Sequence, residues 1–120
     1  MRRDDALVLD ILIAARKIQQ FTHEMTKTDF QENQMAQSAV IREFQVMGEA
    51  TKQISEDVRT QNPTIPWHQI AGMRDRMVHE YFRIDLDIVW DTVQQELPGL
   101  IPQLEAIIPP ENFEDSDRPL

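Results

Sequence analysis

A long apolar stripe runs through residues 31–60, QENQMAQSAVIREFQVMGEATKQISEDVRT. Most of its members follow one another at spacings of three or four residues, which is the period of one face of an α-helix. The stripe comprises Met35, Ala39, Val40, Phe44, Met47, Thr51, Ile54 and Val58. We therefore predict one helix from about Gln31 to Thr60. Gly48 lies inside the stripe, and because a mid-helix glycine costs about 1 kcal/mol relative to alanine, we expect another helix or a ligand to approach it closely.

The N-terminal segment carries a stripe of the same period. A first helix is predicted from a cap at Asp4 or Asp5 to about Thr28. The segment 61–66, QNPTIP, then breaks the pattern, since each proline lacks a backbone N–H and disfavours a helical residue before it. We expect the second helix to end there and a third to begin directly afterwards.

Shorter helices are predicted in the C-terminal half. The third helix runs from Trp67 to about Tyr81, and Asp85 is expected to be the N-cap of a fourth. Pro98 is expected to kink or end that helix, and Pro102 to begin a fifth. No segment alternates as a strand does. The sequence therefore predicts an all-α fold, an antiparallel bundle of four or five helices.

Composition restricts the classes of function. A chain of 120 residues with 41% hydrophobic residues suits one globular domain, which we place at residues 1–108, with 109–120 as an acidic, disordered tail. The absence of cysteine excludes disulfides, thiolate zinc sites and cysteine nucleophiles. No apolar run approaches the roughly 20 residues of a membrane span, so we expect a cytoplasmic protein without membrane contacts.

The net charge of −9 arises from 12 basic and 21 acidic residues. Removing the predicted tail leaves 11 basic and 17 acidic residues, so the folded part is also acidic. General nucleic-acid binders are usually basic. DNA binding is therefore not expected, and any contact with RNA must be local or made on a surface completed by a partner.

Chemically reactive side chains are densest in residues 73–82, MRDRMVHEYF. On one continuous helix Asp75 and His79 share a face, whereas Arg74 and His79 differ by about 140° in azimuth. A straight helix therefore cannot easily direct Arg74 and His79 at one phosphate. Either the helix loosens near His79, or two copies meet across a two-fold axis. We favour the second because two-fold dimers are the commonest assembly, and it predicts a composite site in a homodimer cleft.

Such residues can cleave RNA without a metal ion. An imidazole exchanges a proton near neutral pH, so His79 can take the proton of a ribose 2′-hydroxyl or give one to the leaving oxygen. Arg74 can bind the non-bridging phosphate oxygens, where charge develops. Asp75 is expected to orient the His79 ring, and Tyr81 to hold a phosphate or a base. The further RNA-binding candidates are Arg76 and Arg83.

The same residues have simpler explanations. A helix of this composition is more often a solvated surface laced by weak ion pairs, such as one between Arg76 and Glu80. Tyr81 and Phe82 can be core aromatics, and Glu49 is expected to form a structural ion pair with an arginine of this segment. Asp75 and His79 lack a third metal ligand nearby. The sequence also has no glycine-rich phosphate-binding loop. We therefore expect neither a metal nor a cofactor.

The pattern Arg74-x-x-x-x-His79-x-Tyr81 resembles the signature of HepT-like ribonucleases of the HEPN superfamily. Four further segments resemble that family in the same order: 45–50 QVMGEA, 66–73 PWHQIAGM, 85–90 DLDIVW and 96–100 ELPGL. Together they span most of residues 5–108. The resemblance implies an all-helical, dimer-forming ribonuclease toxin, with Arg74 and His79 catalytic and Asp75 as the intervening polar residue.

The resemblance also implies a partner, an MntA-like nucleotidyltransferase antitoxin. Antitoxins of this kind resemble enzymes that transfer AMP to a tyrosine of the toxin, and Tyr81 is the matching acceptor here. The alternative from another class is a non-catalytic helical binding partner of a small nucleotidyltransferase. In that case Tyr81 and the arginines bind nucleotide or partner and nothing is cleaved. A third hypothesis is a toxin that folds and dimerises but has lost its activity.

Overall fold

The computed structural model describes residues 2–108, and the predicted tail at 109–120 lies outside the described residues. The helices are α1 (Arg2–Phe21), α2 (Lys27–Gln31), α3 (Gln34–Lys52), α4 (Glu56–Gln61), α5 (Trp67–Ala71), α6 (Met73–Met77), α7 (Leu86–Asp91) and α8 (Leu97–Glu105). A 3₁₀ turn covers Glu80–Phe82, and a π-helical stretch, Thr92–Glu96, joins α7 to α8. Within residues 2–108 the one extended pairing is an isolated bridge between Val78 and Ile84. The prediction of an all-α fold is confirmed.

The two long helices α1 and α3 form the centre of the bundle. They pack against each other, α5 and α6 pack on α3, and α8 packs on α1. One cluster of buried apolar side chains lies between them, and its largest fully buried members are Phe30, Phe44, Ile11, Leu12, Ile18, Met47, Ile70, Met77, Leu97 and Leu104. Val40, Phe44 and Met47 of the predicted stripe supply the α3 side of this core, whereas Met35 is 85% exposed. No helix of the described part is long and apolar enough to cross a bilayer.

The two long predicted helices are each shorter than expected because side-chain caps divide them. The first ends at Phe21, and Thr26 begins α2 with a capping box to Asp29. The second is divided between α3 and α4 at Ser55, whose hydroxyl accepts the backbone N–H of Val58. Such caps satisfy the otherwise unpaired donors of a new helix start. The predictions of helices reaching Thr28 and spanning 31–60 are therefore wrong in extent.

A contact between distant segments fixes the α4 start. The carboxylate of Asp4, in the first turn of α1, accepts the backbone N–H of Ser55 at 3.0 Å and its hydroxyl at 2.8 Å. Asp4 is only 4% exposed. The hydrogen bond from the Ser55 backbone is the largest cause that lowers the pKa of this carboxyl. Asp4 therefore ties the beginning of α1 to the turn after α3.

The last helix tolerates both of its prolines. Pro98 lies in the first turn of α8, a position that favours proline. The helix continues through Pro102 to Glu105, so the prediction that Pro102 begins a fifth helix is wrong. The expected irregularity at Pro98 occurs just before it, as the π-helical stretch Thr92–Glu96.

The expectation of a close approach at Gly48 is confirmed. A Cβ atom at this position would lie 3.2 Å from the carbonyl oxygen of Ala71 and 3.4 Å from that of Ile70. A Cβ here would be tighter than most real contacts, so any larger residue would require α5 to shift away from α3. Because α6 follows α5 after one residue, this contact also sets the position of the segment that carries Arg74.

Candidate active site

The helix that carries Arg74 ends at Met77, before it reaches His79. Val78 has extended backbone angles (φ −118°, ψ 120°), and so has His79 (φ −102°, ψ −168°). The predicted helix from Trp67 to about Tyr81 is therefore wrong, and the 140° separation calculated from it does not apply. The helix therefore loosens near His79, which is one of the two alternatives, and the homodimer stays a prediction.

A tight hairpin replaces the predicted end of the helix. It comprises residues 77–85 and is held by backbone hydrogen bonds from His79 N–H to the Arg83 oxygen and from Asp85 N–H to the Met77 oxygen, both 2.7 Å long. Successive side chains of an extended segment point to opposite faces. Val78 and His79 therefore face opposite sides of the hairpin.

Two aromatic residues occupy the tip of this hairpin. Tyr81 (φ 59°, ψ 30°) and Phe82 (φ 58°) are both left-handed, and Arg83 N–H donates to the Glu80 oxygen at 3.3 Å to close the turn. Turns with two positive φ angles normally use asparagine or glycine. Each bulky residue there costs roughly 1–2 kcal/mol. Tyr81 is 91% exposed and Phe82 81% exposed, so the hypothesis that they are core aromatics is wrong.

His79 is paired with Asp85. Its Nε2 lies 3.8 Å from Oδ2 of Asp85, and the two side chains are 49% and 34% exposed. The other oxygen, Oδ1, accepts the backbone N–H of Ile88 at 3.1 Å, which confirms Asp85 as the cap of α7. The distance of 3.8 Å is too long for a hydrogen bond, so the contact is an ion pair when the imidazole is protonated. Sequence reasoning had assigned Asp85 only the cap.

Arg74 has no strong partner of its own. Its Nη1 lies 4.0 Å from Oδ1 of Asp75, whose side chain is 81% exposed. Its Nε is buried and makes no hydrogen bond to any described residue. Asp75 therefore neighbours Arg74, and the geometric reason for expecting it to orient His79, a shared helix face, does not hold. A catalytic role of Asp75 stays a prediction.

A cleft of about 640 Å³, here called the Arg74 cleft, opens between α1, α3 and the hairpin. One wall consists of Arg74, from α6, and of Val78, Phe82 and Ile84, from the hairpin. The structure thus brings Arg74 and Phe82 to one cleft. His79 does not line it, as expected from a side chain on the face opposite to Val78.

The remaining charged candidates lie on the surface. Arg76 and Arg83 are exposed and form no ion pair with another residue of the described part, so the expected pair between Arg76 and Glu80 is wrong. Glu49 is paired with Lys52 at 3.8 Å and not with an arginine, contrary to expectation. RNA contacts by Arg76 and Arg83 stay a prediction. Among the described residues no cluster of three or more His, Asp or Glu side chains is arranged to hold a metal ion.

Comparisons with known proteins point to one family. The family model described as Ribonuclease HepT-like matches residues 11–107. A Methanocaldococcus jannaschii protein named "Putative RNase MJ0127" is 38% identical over 112 residues, which are 93% of each chain. A Thermococcus cleftensis protein named "Probable ribonuclease HepT" is 39% identical over 98 residues, 82% of this chain and 89% of its own length. No solved structure matches the chain. The chain belongs to the HepT-like ribonuclease family.

Proposed function

We propose that this protein is a metal-independent endoribonuclease in which Arg74 and His79 carry out the cleavage. The single observation that carries the proposal is the state of Arg74. Its guanidinium lines a cleft, its Nε has no partner among the described residues, and its nearest carboxylate is an exposed one 4.0 Å away. A cation held in this way is available to bind a phosphate. Family membership supports RNA as the substrate class.

The proposed reaction is an internal transfer within the RNA. The 2′-hydroxyl oxygen attacks the adjacent phosphorus while the neutral imidazole of His79 takes the hydroxyl proton. The bond to the 5′-oxygen of the next nucleotide breaks, and the imidazolium returns its proton to that oxygen. The products are a 2′,3′-cyclic phosphate and a free 5′-hydroxyl. The two forked N–H donors of Arg74 bind the non-bridging oxygens, where negative charge accumulates.

We propose that a homodimer completes the site. In one protomer Arg74 lines the cleft while His79 lies outside it, paired with Asp85. A two-fold axis beside the hairpin would place the His79 of one copy near the Arg74 of the other, since a two-fold interface uses the same patch on both subunits. This pooling of side chains is the reason for preferring a dimer.

Regulation by a nucleotidyltransferase antitoxin is the third part of the proposal. Tyr81 stands at the hairpin tip with 91% of its surface exposed, so its hydroxyl is accessible to a second enzyme. In the proposed transfer this oxygen attacks the α-phosphorus of ATP, pyrophosphate leaves, and the phenolic proton passes to a base of the transferase. The added phosphodiester carries negative charge and bulk to within two residues of His79, which would repel a substrate phosphate. Binding of the antitoxin to the dimer would form an assembly larger than a dimer.

Cleavage of RNA by the purified protein tests the proposal. We expect the wild type to cleave RNA in excess EDTA and to leave 2′,3′-cyclic phosphate ends. The cleavage rate should fall at least about 100-fold in His79→Ala and in Arg74→Ala. His23→Ala is the matched control, because His23 is an exposed histidine that does not line the Arg74 cleft, and its one ion pair within residues 2–108 is with its neighbour Glu24. Undiminished cleavage by His79→Ala, or cleavage that needs an added metal ion, would contradict the proposal.

A second candidate function is that of a non-catalytic partner of a small nucleotidyltransferase. The net charge of −9 favours it, because RNA binding is opposed by an acidic surface. Growth arrest on expression separates the two candidates. Arrest by the wild type and none by His79→Ala supports the ribonuclease, whereas equal growth of both cultures supports the partner.

A further inference from the structure

Phe82 has no part in the proposed cleavage chemistry, yet the fold presents its ring to solvent. It is 81% exposed and has a φ of 58°, in a turn where glycine or asparagine would avoid the strain. Bulky residues in left-handed conformation are rare, and they concentrate at functional sites. Core packing therefore does not account for this aromatic ring.

Phe82 forms part of the wall of the Arg74 cleft. The cleft's volume of about 640 Å³ falls in the range of about 300–1,000 Å³ that is usual for small organic ligands. Its apolar lining includes Leu7, Ile41 and Ile84 in addition to Phe82. The cleft is thus suited to a flat, largely apolar group placed directly beside the guanidinium of Arg74.

The charges of the cleft argue against a second phosphate in it. Two cations, Arg42 and Arg74, and two carboxylates, Asp10 and Glu49, line it. They balance, so the cleft as a whole offers no excess positive charge to an anion. A neutral base beside one phosphate at Arg74 fits this arrangement. Gln45 lines the same cleft and makes no side-chain hydrogen bond within the described part, so its amide is available to a base edge.

We propose that the Arg74 cleft binds one unpaired nucleobase next to the phosphate held by Arg74, with the ring of Phe82 stacked on that base. The inference rests on the proposed ribonuclease function and adds the class of substrate, single-stranded RNA. Bases within an A-form duplex are stacked on one another and are not free to stack on an aromatic side chain. Base stacking on such rings contributes substantially to single-strand binding.

The test is binding of RNA to a protein that cannot cut it. In a His79→Ala background, fluorescein-labelled 12-nucleotide single strands of mixed sequence are compared with a 12-base-pair duplex by fluorescence anisotropy. Phe82→Ala should weaken single-strand binding by roughly fivefold or more, and Phe82→Trp should restore it to within about twofold. Duplex binding should change by less than about twofold in both variants. Met35→Ala is the matched control, since Met35 is an apolar residue, 85% exposed, that does not line this cleft.

The outcomes separate this inference from the proposed function. If cleavage depends on His79 but Phe82→Ala binds single strands as tightly as its parent, the base site is refuted and the ribonuclease stands. If single-strand binding depends on Phe82 but the wild-type protein does not cleave RNA, the ribonuclease is refuted and the base site stands. A third outcome is that Phe82→Ala loses binding and also changes its molecular mass in light scattering. That result would assign the ring to a contact between copies and would overturn the inference.

Discussion

Asp85 is the residue whose two roles can be separated by substitution. Its Oδ1 accepts the Ile88 N–H at 3.1 Å and caps α7, while its Oδ2 lies 3.8 Å from Nε2 of His79. Asparagine is as good a cap as aspartate but carries no charge. Asp85→Asn therefore removes only the charge that faces the imidazole, and Asp85→Ala removes both the charge and the cap.

The two effects have different magnitudes. At 3.8 Å a unit charge pair is worth about 1 kcal/mol in water, and the water value applies because both side chains are partly exposed, 49% for His79 and 34% for Asp85. His79 becomes positively charged as it takes the proton, so losing this attraction should slow cleavage about fivefold. Loss of the cap should lower the free energy of unfolding by about 0.5–2 kcal/mol.

The assay pairs RNA cleavage with urea unfolding for the same set of proteins. Asp85→Asn should lose about fivefold in cleavage rate and keep its unfolding free energy to within about 0.5 kcal/mol. Asp85→Ala should show the same loss of rate and the additional loss of stability. Asp87→Asn serves as the control, because Asp87 lies in the first turn of the same helix but pairs with Lys27 at 2.9 Å.

Two results would refute this reasoning. If Asp85→Asn cleaves RNA as fast as the wild type, the charge of Asp85 does not act on His79 and the residue is a cap alone. If Asp85→Asn loses as much stability as Asp85→Ala, the hydrogen bond to Ile88 is not what Asp85 contributes to folding.

Three further predictions concern stability, measured by urea or thermal unfolding. Asp4→Ala should lower the free energy of unfolding by about 1–2 kcal/mol at neutral pH, because two hydrogen bonds to Ser55 are lost. Folding lowers the pKa of Asp4. The loss of unfolding free energy in Asp4→Ala should therefore be complete above the ordinary aspartate pKa of about 3.9, and it should disappear as the pH falls through the lowered pKa of the folded protein. Gly48→Ala should destabilise by up to about 2 kcal/mol, as overpacking against the Ala71 carbonyl outweighs the gain in helix propensity. Phe82→Gly should stabilise slightly, by up to about 1 kcal/mol, as relief of a strain of roughly 1–2 kcal/mol exceeds the entropy cost of glycine.

Matched substitutions control these predictions. Asp5→Ala removes the neighbouring acid of the same helical turn and leaves both hydrogen bonds between Asp4 and Ser55 in place. Gly99→Ala adds a Cβ that meets nothing within 4 Å, so it should gain up to about 1 kcal/mol of helix propensity. Equal stability of Gly48→Ala and Gly99→Ala, a pH-independent effect of Asp4→Ala, or destabilisation by Phe82→Gly would each contradict the corresponding structural assignment.

Local patterns in the sequence predict most of the core. The apolar spacings identify Phe44 and Met47 as buried, and the local sequence identifies Asp85 as a helix cap, because both features depend on neighbours within a few residues. The mid-helix position of Gly48 predicts a close approach but not its partner, the backbone carbonyl of Ala71. Pattern alone does not predict where the long helices stop. The carboxylate that fixes the α4 cap comes from Asp4, 51 residues away in the chain.

In the candidate site, too, the sequence predicts the residues, whereas contacts formed on folding decide their arrangement. The residue types of 73–82 and their resemblance to a family identify Arg74, His79 and Tyr81. Their arrangement depends on the Val78–Ile84 bridge and on the hydrogen bond from Asp85 N–H to the Met77 oxygen, which turn a helix-compatible sequence into a hairpin. Helical periodicity therefore placed Asp75 beside His79, where the folded chain places Asp85.

Mixing two inactive variants tests most directly whether Arg74 of one copy and His79 of the other act on one phosphate. Purified Arg74→Ala and His79→Ala are each inactive on this account, and an equal mixture that exchanges subunits contains mixed dimers with one complete site. The account predicts recovery of about a quarter of the wild-type cleavage rate, because half of the dimers are mixed and each has one of its two sites intact. No recovery, in a mixture whose subunits demonstrably exchange, would contradict it.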